Sequence, residues 1–462
     1  MNEQHVSHVT KRALQGGIYL AGRHFGSMAL SLLGVMGLML VMGPTDYGIW
    51  VGIQQAFSLC AVLAQWGVGA YLIRLPGPLS QETADRCHTF AVSLGVVVLS
   101  FCTAFSVVLY AYGINANYLM LVGALLAWLP LGRALLLSQV VLERKMMYRD
   151  LSIIELQKQF LFYLVAVPAV HAGLGIWGAV AGWWAQNVFW SVRIIRKADR
   201  NFYWAWDMAF FRVLIKYGFN VNMVNLSGQL RLSVYPLLVG WLAGAEAVGI
   251  IRLAQRLVES ACFSQPIFGR IIQTVYPKLT AGSAVPFLRN AVLLQTTLSG
   301  TALILLNLLA PVLVPLLWGS EWGEAVALLG PLSMAAFLAA PTLVLWQTLW
   351  AKADYHLVTI GNLARAGAVA AGTVLLLPSM GPIGYAWAEV VTAVVLLILP
   401  YDRWLPSGLI PPRLLAFLGI GAICFIHIVW SSPLWLACLL WYRHDLQRRG
   451  RNLLSAYHGN QT

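Results

Sequence analysis

Apolar positions in this chain run in long blocks. They fall at roughly 14–41, 48–73, 87–111, 118–142, 151–170, 174–195, 212–241, 247–275, 286–312, 323–349, 356–377 and 382–400. Each is about as long as the ~20 residues a helix needs to cross the hydrocarbon of a bilayer, or longer. The period-two alternation of a membrane β-barrel is absent. A last apolar region, 413–442, is interrupted by Ser431-Ser432-Pro433, and it predicts a hairpin whose second limb, 433–441, is short for a full span. The expected fold class is all-α: a polytopic membrane protein of twelve helices plus a C-terminal hairpin, fourteen in total.

The polar positions between the blocks test that count. With the N-terminus in the cytoplasm, the cytoplasmic loops collect Lys11, Arg12, Arg74, Arg86, Arg144, Lys145, Arg149, Arg193, Arg196, Lys197, Arg200, Lys278, Lys352, Arg403 and Arg413. The opposite loops, 43–47, 112–117, 171–175, 243–247, 318–324 and 378–382, contain no Lys or Arg. This is the bias that orients membrane helices, and a miscounted helix would scramble it. Arg443, Arg448, Arg449 and Arg451 also belong in the cytoplasm, so the number of spans is even and 413–442 is a hairpin.

The blocks also repeat. Gly43-Pro-Thr-Asp-Tyr-Gly48-Ile49 and Gly244-Ala-Glu-Ala-Val-Gly249-Ile250 match at a constant offset, each opening the next helix. Gly175-Ile-Trp-Gly178 and Gly381-Pro-Ile-Gly384 match at nearly the same offset. Two echoes at equivalent positions predict two six-helix lobes, and six is even, so the lobes are parallel repeats. Between them, the basic and aromatic stretch 193–212 reads as an interfacial segment. The expected organisation is an N-terminal lobe 1–195, a linker 196–211, a C-terminal lobe 212–402, and a hairpin with basic tail 403–462.

Composition removes other classes. Of 462 residues 59% are hydrophobic and 10% charged, against about 25% charged in soluble domains, and mean hydropathy is +0.73. The net charge of +13 sits on the cytoplasmic loops, which argues against nucleic acid. The six cysteines, Cys60, Cys87, Cys102, Cys262, Cys424 and Cys438, form no CxxC pair and read as small packing residues. His24, His171 and His427 do not cluster, so no metal site is expected, and there is no phosphate-binding loop or dinucleotide fingerprint. The polar start of the chain is not a cleavable signal.

Ionisable residues near the bilayer centre cost at least ~2.5–3.5 kcal/mol and are functional candidates. Here they are Arg23, Arg133, Arg231, Arg252, Arg256, Glu259, Arg365 and Glu389. Glu155, Lys158, Lys216 and Arg270 lie nearer the helix ends, where long side chains reach the interface. Glu259 can pair with Arg256 or Arg252, and Glu389 with Arg365. The remaining cations need a wet cavity, an anion, or hydrogen bonds to carbonyls and polar side chains. We expect a cationic cavity of Arg23, Arg133, Arg231, Arg252, Arg256 and Arg365 for an anionic substrate, because the planar guanidinium suits phosphate. Shifting the repeat puts Val51, Gln55 and Ser58 opposite Arg252, Arg256 and Glu259, so the stripe is not needed to build a lobe. Gln55, Asn222, Asn225 and Gln229 are candidate glycan contacts, and helix–helix hydrogen bonding explains them equally.

Residues 43–49, Ser152-Ile-Ile-Glu-Leu-Gln157, Gly175-Ile-Trp-Gly178 and the run from Leu238 to Arg256 together resemble Wzx-type polysaccharide flippases. These belong to the multidrug/oligosaccharidyl-lipid/polysaccharide exporter superfamily. The resemblance covers most of the first twelve helices. It implies a two-lobe alternating-access fold that moves undecaprenyl-diphosphate-linked oligosaccharide from the cytoplasmic to the periplasmic leaflet for surface polysaccharide biosynthesis. Related lipid II flippases keep cavity cations on the first helix and on the helix opening the second-lobe hairpin, the roles of Arg23 and of Arg252 and Arg256 here. It further implies a monomer in the bacterial inner membrane, both termini cytoplasmic, with membrane lipids, a polymerase and glycosyltransferases as partners and no nucleic acid. No cofactor is expected; coupling to protons or sodium would involve Glu259 and Glu389. The alternatives are a lipid II or teichoic-acid-type flippase, or a small-molecule antiporter on the same fold. A membrane enzyme is disfavoured because the outer loops leave no room for an active site.

Overall fold

The computed structural model describes residues 3–398 apart from 200, 280 and 353, together with 418, 419, 422, 424 and 425; for some of these, including all up to residue 25, it describes backbone only. The predicted hairpin of 413–442 and the basic tail lie almost wholly outside the described residues, as does the side chain of Arg23. Every regular element among the described residues is helical. In order these are α1 (Glu3–Leu63), α2 (Val68–Arg74), α3 (Gln81–Ala111), α4 (Ala116–Leu126), α5 (Leu129–Arg144), α6 (Tyr148–Ala169) and α7 (Ile176–Ala198). Then come α8 (Met208–Ser233), α9 (Gly240–Ala261), α10 (Ser264–Val275), α11 (Ala281–Trp318), α12 (Glu324–Ala351), α13 (Tyr355–Met380) and α14 (Pro382–Ile398).

Each of the twelve predicted apolar segments is helical over most of its length. By length and composition, seven described stretches qualify to cross a membrane, or up to eight when the bent pair Leu33–Leu63 and Val68–Arg74 is one span. One of the seven, Met208–Ala261, is 54 residues long and bends inside α9.

The bends explain the sequence echoes. α1 runs through Gly43 at φ 70°, ψ 173°, and α9 runs through Gly244 at φ 86°, ψ 174°. Residues with a Cβ avoid this region, so glycine is required at both turns. Pro44 then opens the second limb of α1, where its missing N–H costs nothing. The second echo behaves the same way: Gly175 has φ 51°, ψ −134° and Gly381 has φ 63°, ψ −151°. Three residues on, Gly178 and Gly384 let paired helices touch backbone to backbone. A Cβ on Gly178 would lie 2.6 Å from Val170 N, and one on Gly384 would lie 2.8 Å from Leu377 N. A third pair escaped the sequence reading. Gly113 (φ 87°) and Gly319 (φ 94°) have the same separation in number as Gly175 and Gly381 and occupy the corresponding turn.

Contacts divide the chain into two compact units, Met1–Ser233 and Val234–Thr462. In the first, α6 packs on α7 and α1, α3 on α5, and α8 on α1. Trp66 donates from Nε1 to the Ile215 carbonyl at 3.0 Å. In the second, α12 packs on α14, α11, α9 and α10, and α13 packs on α14. Nothing charged interrupts α12 between Glu324 and its end, and most of it is buried. A helix apolar all round belongs in the middle of a bundle.

The 193–212 stretch divides into the end of α7, a non-helical strap at 201–207, and the start of α8. α3 holds the strap. Asp85 Oδ1 accepts the Tyr203 N–H at 2.9 Å, and Thr89 Oγ1 accepts the Ala205 N–H at 2.8 Å. Gln81 donates to the Asn201 carbonyl at 2.8 Å, and Arg86 pairs with Asp207 at 3.2 Å. With its backbone occupied, the strap turns Tyr203, Trp204 and Trp206 outward, all exposed. That is the amphipathic belt chemistry expected of an interfacial segment.

Candidate functional site

The site is built on the second limb of α9. At 3.6 residues per turn, Arg252, Gln255, Arg256 and Glu259 fall within about 100° of arc. The opposite face, with Ile250, Ile251, Ala254 and Val258, is buried. An apolar back therefore fixes which way the polar side chains point.

Both acid–base pairings expected from the sequence are present. Arg252 Nη1 lies 3.0 Å from Glu259 Oε1, and Arg256 Nη1 lies 3.5 Å from Glu259 Oε2. The arginine side chains are 25% and 28% exposed and the glutamate 53%. Arg365 of α13 lies 3.1 Å from Glu389 of α14, with exposures of 19% and 17%. This second pair is the deeper one.

Two residues extend the second pair to α9, and the sequence reading missed both. Gln255 Nε2 donates to Tyr385 Oη at 2.8 Å. Tyr385 donates in turn to Glu389 Oε1 at 2.8 Å. The Tyr235 ring packs on that of Tyr385 with centroids 5.6 Å apart. A polar chain thus runs Gln255–Tyr385–Glu389–Arg365 across α9, α14 and α13. Gln255 shares the arginine face of α9 and Tyr385 sits one turn before Glu389, but being uncharged neither stands out in the sequence from a packing residue.

The other predicted residues, Arg270 apart, lie in the first unit. Arg133, on α5, packs against Gly95 of α3, and its buried Nε has no hydrogen-bond partner among the described residues. Arg231 ends α8 and is half-buried. Gln55 donates to Ser233 Oγ at 3.0 Å, and Ser233 donates to the Gln229 carbonyl at 2.8 Å, so Gln55 and Gln229 meet through Ser233. Asn222 is fully buried with neither amide atom partnered among the described residues, while Asn225 is half-buried. Lys158 places its ammonium 5.1 Å from the Trp190 ring centroid, a cation–π contact. Lys216 and Arg270 are exposed.

A helical membrane protein with cationic side chains along one apolar-backed helix is the class that fold and site define. The model of the family described as "Polysaccharide biosynthesis protein" matches residues 39–327, and the chain belongs to that family. Among solved structures, the inward closed lipid II flippase MurJ superposes with TM-score 0.73 at 12% identity, over 93% of this chain and 100% of that one. The MATE multidrug transporter DinF-BH gives TM-score 0.54 at 14% identity over 82% of this chain and 93% of that one. The fold is that of these transporters. Comparison with curated protein sequences gives no match.

Proposed function

We propose that the protein is a transporter rather than an enzyme: a flippase that carries undecaprenyl-diphosphate-linked oligosaccharide from the cytoplasmic to the periplasmic leaflet for surface polysaccharide. One observation carries the substrate's sign. Arg252 and Arg256 stand side by side on an apolar-backed helix, and two guanidinium forks suit a diphosphate. A transporter for cationic drugs would want carboxylates in that place. Family membership supports the polysaccharide part of the reading. Alternating access presents the α9 face first to the cytoplasm and then to the outer side of the inner membrane. Glu389, held by Arg365 and Tyr385, is the candidate for coupling to protons or sodium. Polymerase and glycosyltransferases are the expected partners of a monomeric carrier.

The test replaces Arg252 and Arg256 together with Ala and measures surface polysaccharide while checking membrane insertion. Each charge-assisted bond lost is worth about 1.5–3 kcal/mol, so export should fall at least about tenfold. Normal export by a stably inserted double variant refutes the reading.

A further inference from the structure

We propose that Glu259 is a built-in stand-in for the substrate's diphosphate: it occupies the two arginines when no substrate is bound, is displaced on loading, and returns to expel the head group. The inference rests on the anionic-substrate reading above and deepens it.

The geometry carries the argument. Each carboxylate oxygen of Glu259 meets a different arginine, Oε1 with Arg252 at 3.0 Å and Oε2 with Arg256 at 3.5 Å. Two oxygens bridging two guanidiniums is the arrangement that phosphate oxygens would adopt there. Glu259 is also the outermost of the three, about twice as exposed as either arginine. An arriving anion meets it first, and it can swing away by side-chain rotation without disturbing the buried back of α9.

A carboxylate locked into its ion pair looks different, and the same unit contains one. Glu389 is enclosed, ion-paired with Arg365, and locked by the Tyr385 hydroxyl. Among the described residues Glu259 has no such lock; Ser260 beside it bonds back to the Arg256 carbonyl instead. Nor does the helix plan require the carboxylate, since the first unit builds its equivalent limb with Ser58, whose hydroxyl donates to the Gln54 carbonyl at 2.8 Å. The chemistry also explains selectivity. A diphosphate carries more charge than one carboxylate and displaces it, whereas a neutral lipid or a sugar without phosphate does not. Half-exposed ion pairs are weak, so the stand-in is easily displaced and binding stays reversible.

The experiment titrates the full-length protein in detergent with farnesyl diphosphate, a short polyprenyl diphosphate, using farnesol as control. Glu259→Gln should bind the diphosphate about three- to tenfold more tightly, as expected from losing two weak competing pairs, yet export less polysaccharide because release slows. Glu259→Asp, whose shorter reach favours one arginine at a time, should fall between, and it decides the matter should the Gln variant fail to fold. Farnesol binding should not change. Unchanged or weaker diphosphate binding by folded Glu259 variants overturns the stand-in while leaving the anion reading intact, provided Arg252→Ala/Arg256→Ala loses binding. Wild-type affinity in that double-arginine variant overturns the anion reading itself.

Discussion

The two units share one plan and spend it differently. The paired glycines at 43 and 244, 113 and 319, and 175 and 381 all have positive φ. Over that shared frame the side chains diverge. The positions of Arg365 and Glu389 correspond, at the separation of Gly175 and Gly381, to Gln159 and Trp183. In the first unit Trp183 packs edge-on against Phe57 at 5.1 Å and Trp128 at 6.2 Å. An aromatic cluster there fills the place that an ion pair and a tyrosine occupy in the second. The positions of Arg252, Arg256 and Glu259 correspond to Val51, Gln55 and Ser58. The frame therefore needs neither set of charges, which is why the proposal places function on them.

The sharpest test of that comparison sets the two fillings against each other. Trp183→Ala should destabilise by about 3–5 kcal/mol as a large aromatic deletion. Glu389→Ala should cost about as much, because it strands the enclosed Arg365. Thermal unfolding in detergent measures both, and a near-zero cost at Glu389 would mean that its pair is not structurally closed. Next in size are the glycines. Gly178→Ala and Gly384→Ala force a Cβ onto backbone, and Gly43→Ala and Gly244→Ala strain the turn; each should cost about 1–3 kcal/mol. Members of a pair should cost alike, and one tolerant member would break the duplication. Smallest in stability is Arg252→Ala, at under ~1 kcal/mol for a half-exposed pair, although polysaccharide export should drop markedly. A large loss of melting temperature there would recast Arg252 as scaffold.

Much of this was legible in the chain. Apolar blocks located the helices, because a bilayer demands unbroken length. The first two glycine echoes were readable because neighbouring residues repeat with them. Gly113 and Gly319 were not, since their surroundings, Tyr-Gly-Ile-Asn and Trp-Gly-Ser-Glu, share only the turn requirement. Charges in apolar helices are conspicuous, so the pairings of Glu259 and Glu389 could be anticipated. Gln255 and Tyr385 could not, because an uncharged polar residue in such a helix is as consistent with packing as with a network. The strap's aromatic character was visible in 193–212, but its anchors, Asp85 and Thr89, lie on a helix more than a hundred residues away.

That last separation bears on how the protein is made. The first turns of α3 leave the ribosome with an acid and a hydroxyl whose partners are still to be synthesised. Tyr203 follows Asp85 by 118 residues and Ala205 follows Thr89 by 116. At about 5–20 residues per second, the wait is roughly ten seconds. During it, α3 to α7 must enter the membrane and turn back, because only then does the chain return to the place where the strap can close. Strap closure is thus a late step that registers whether the preceding helices were threaded in the right order, and Asp85→Ala should leave each helix intact while slowing maturation of the first unit.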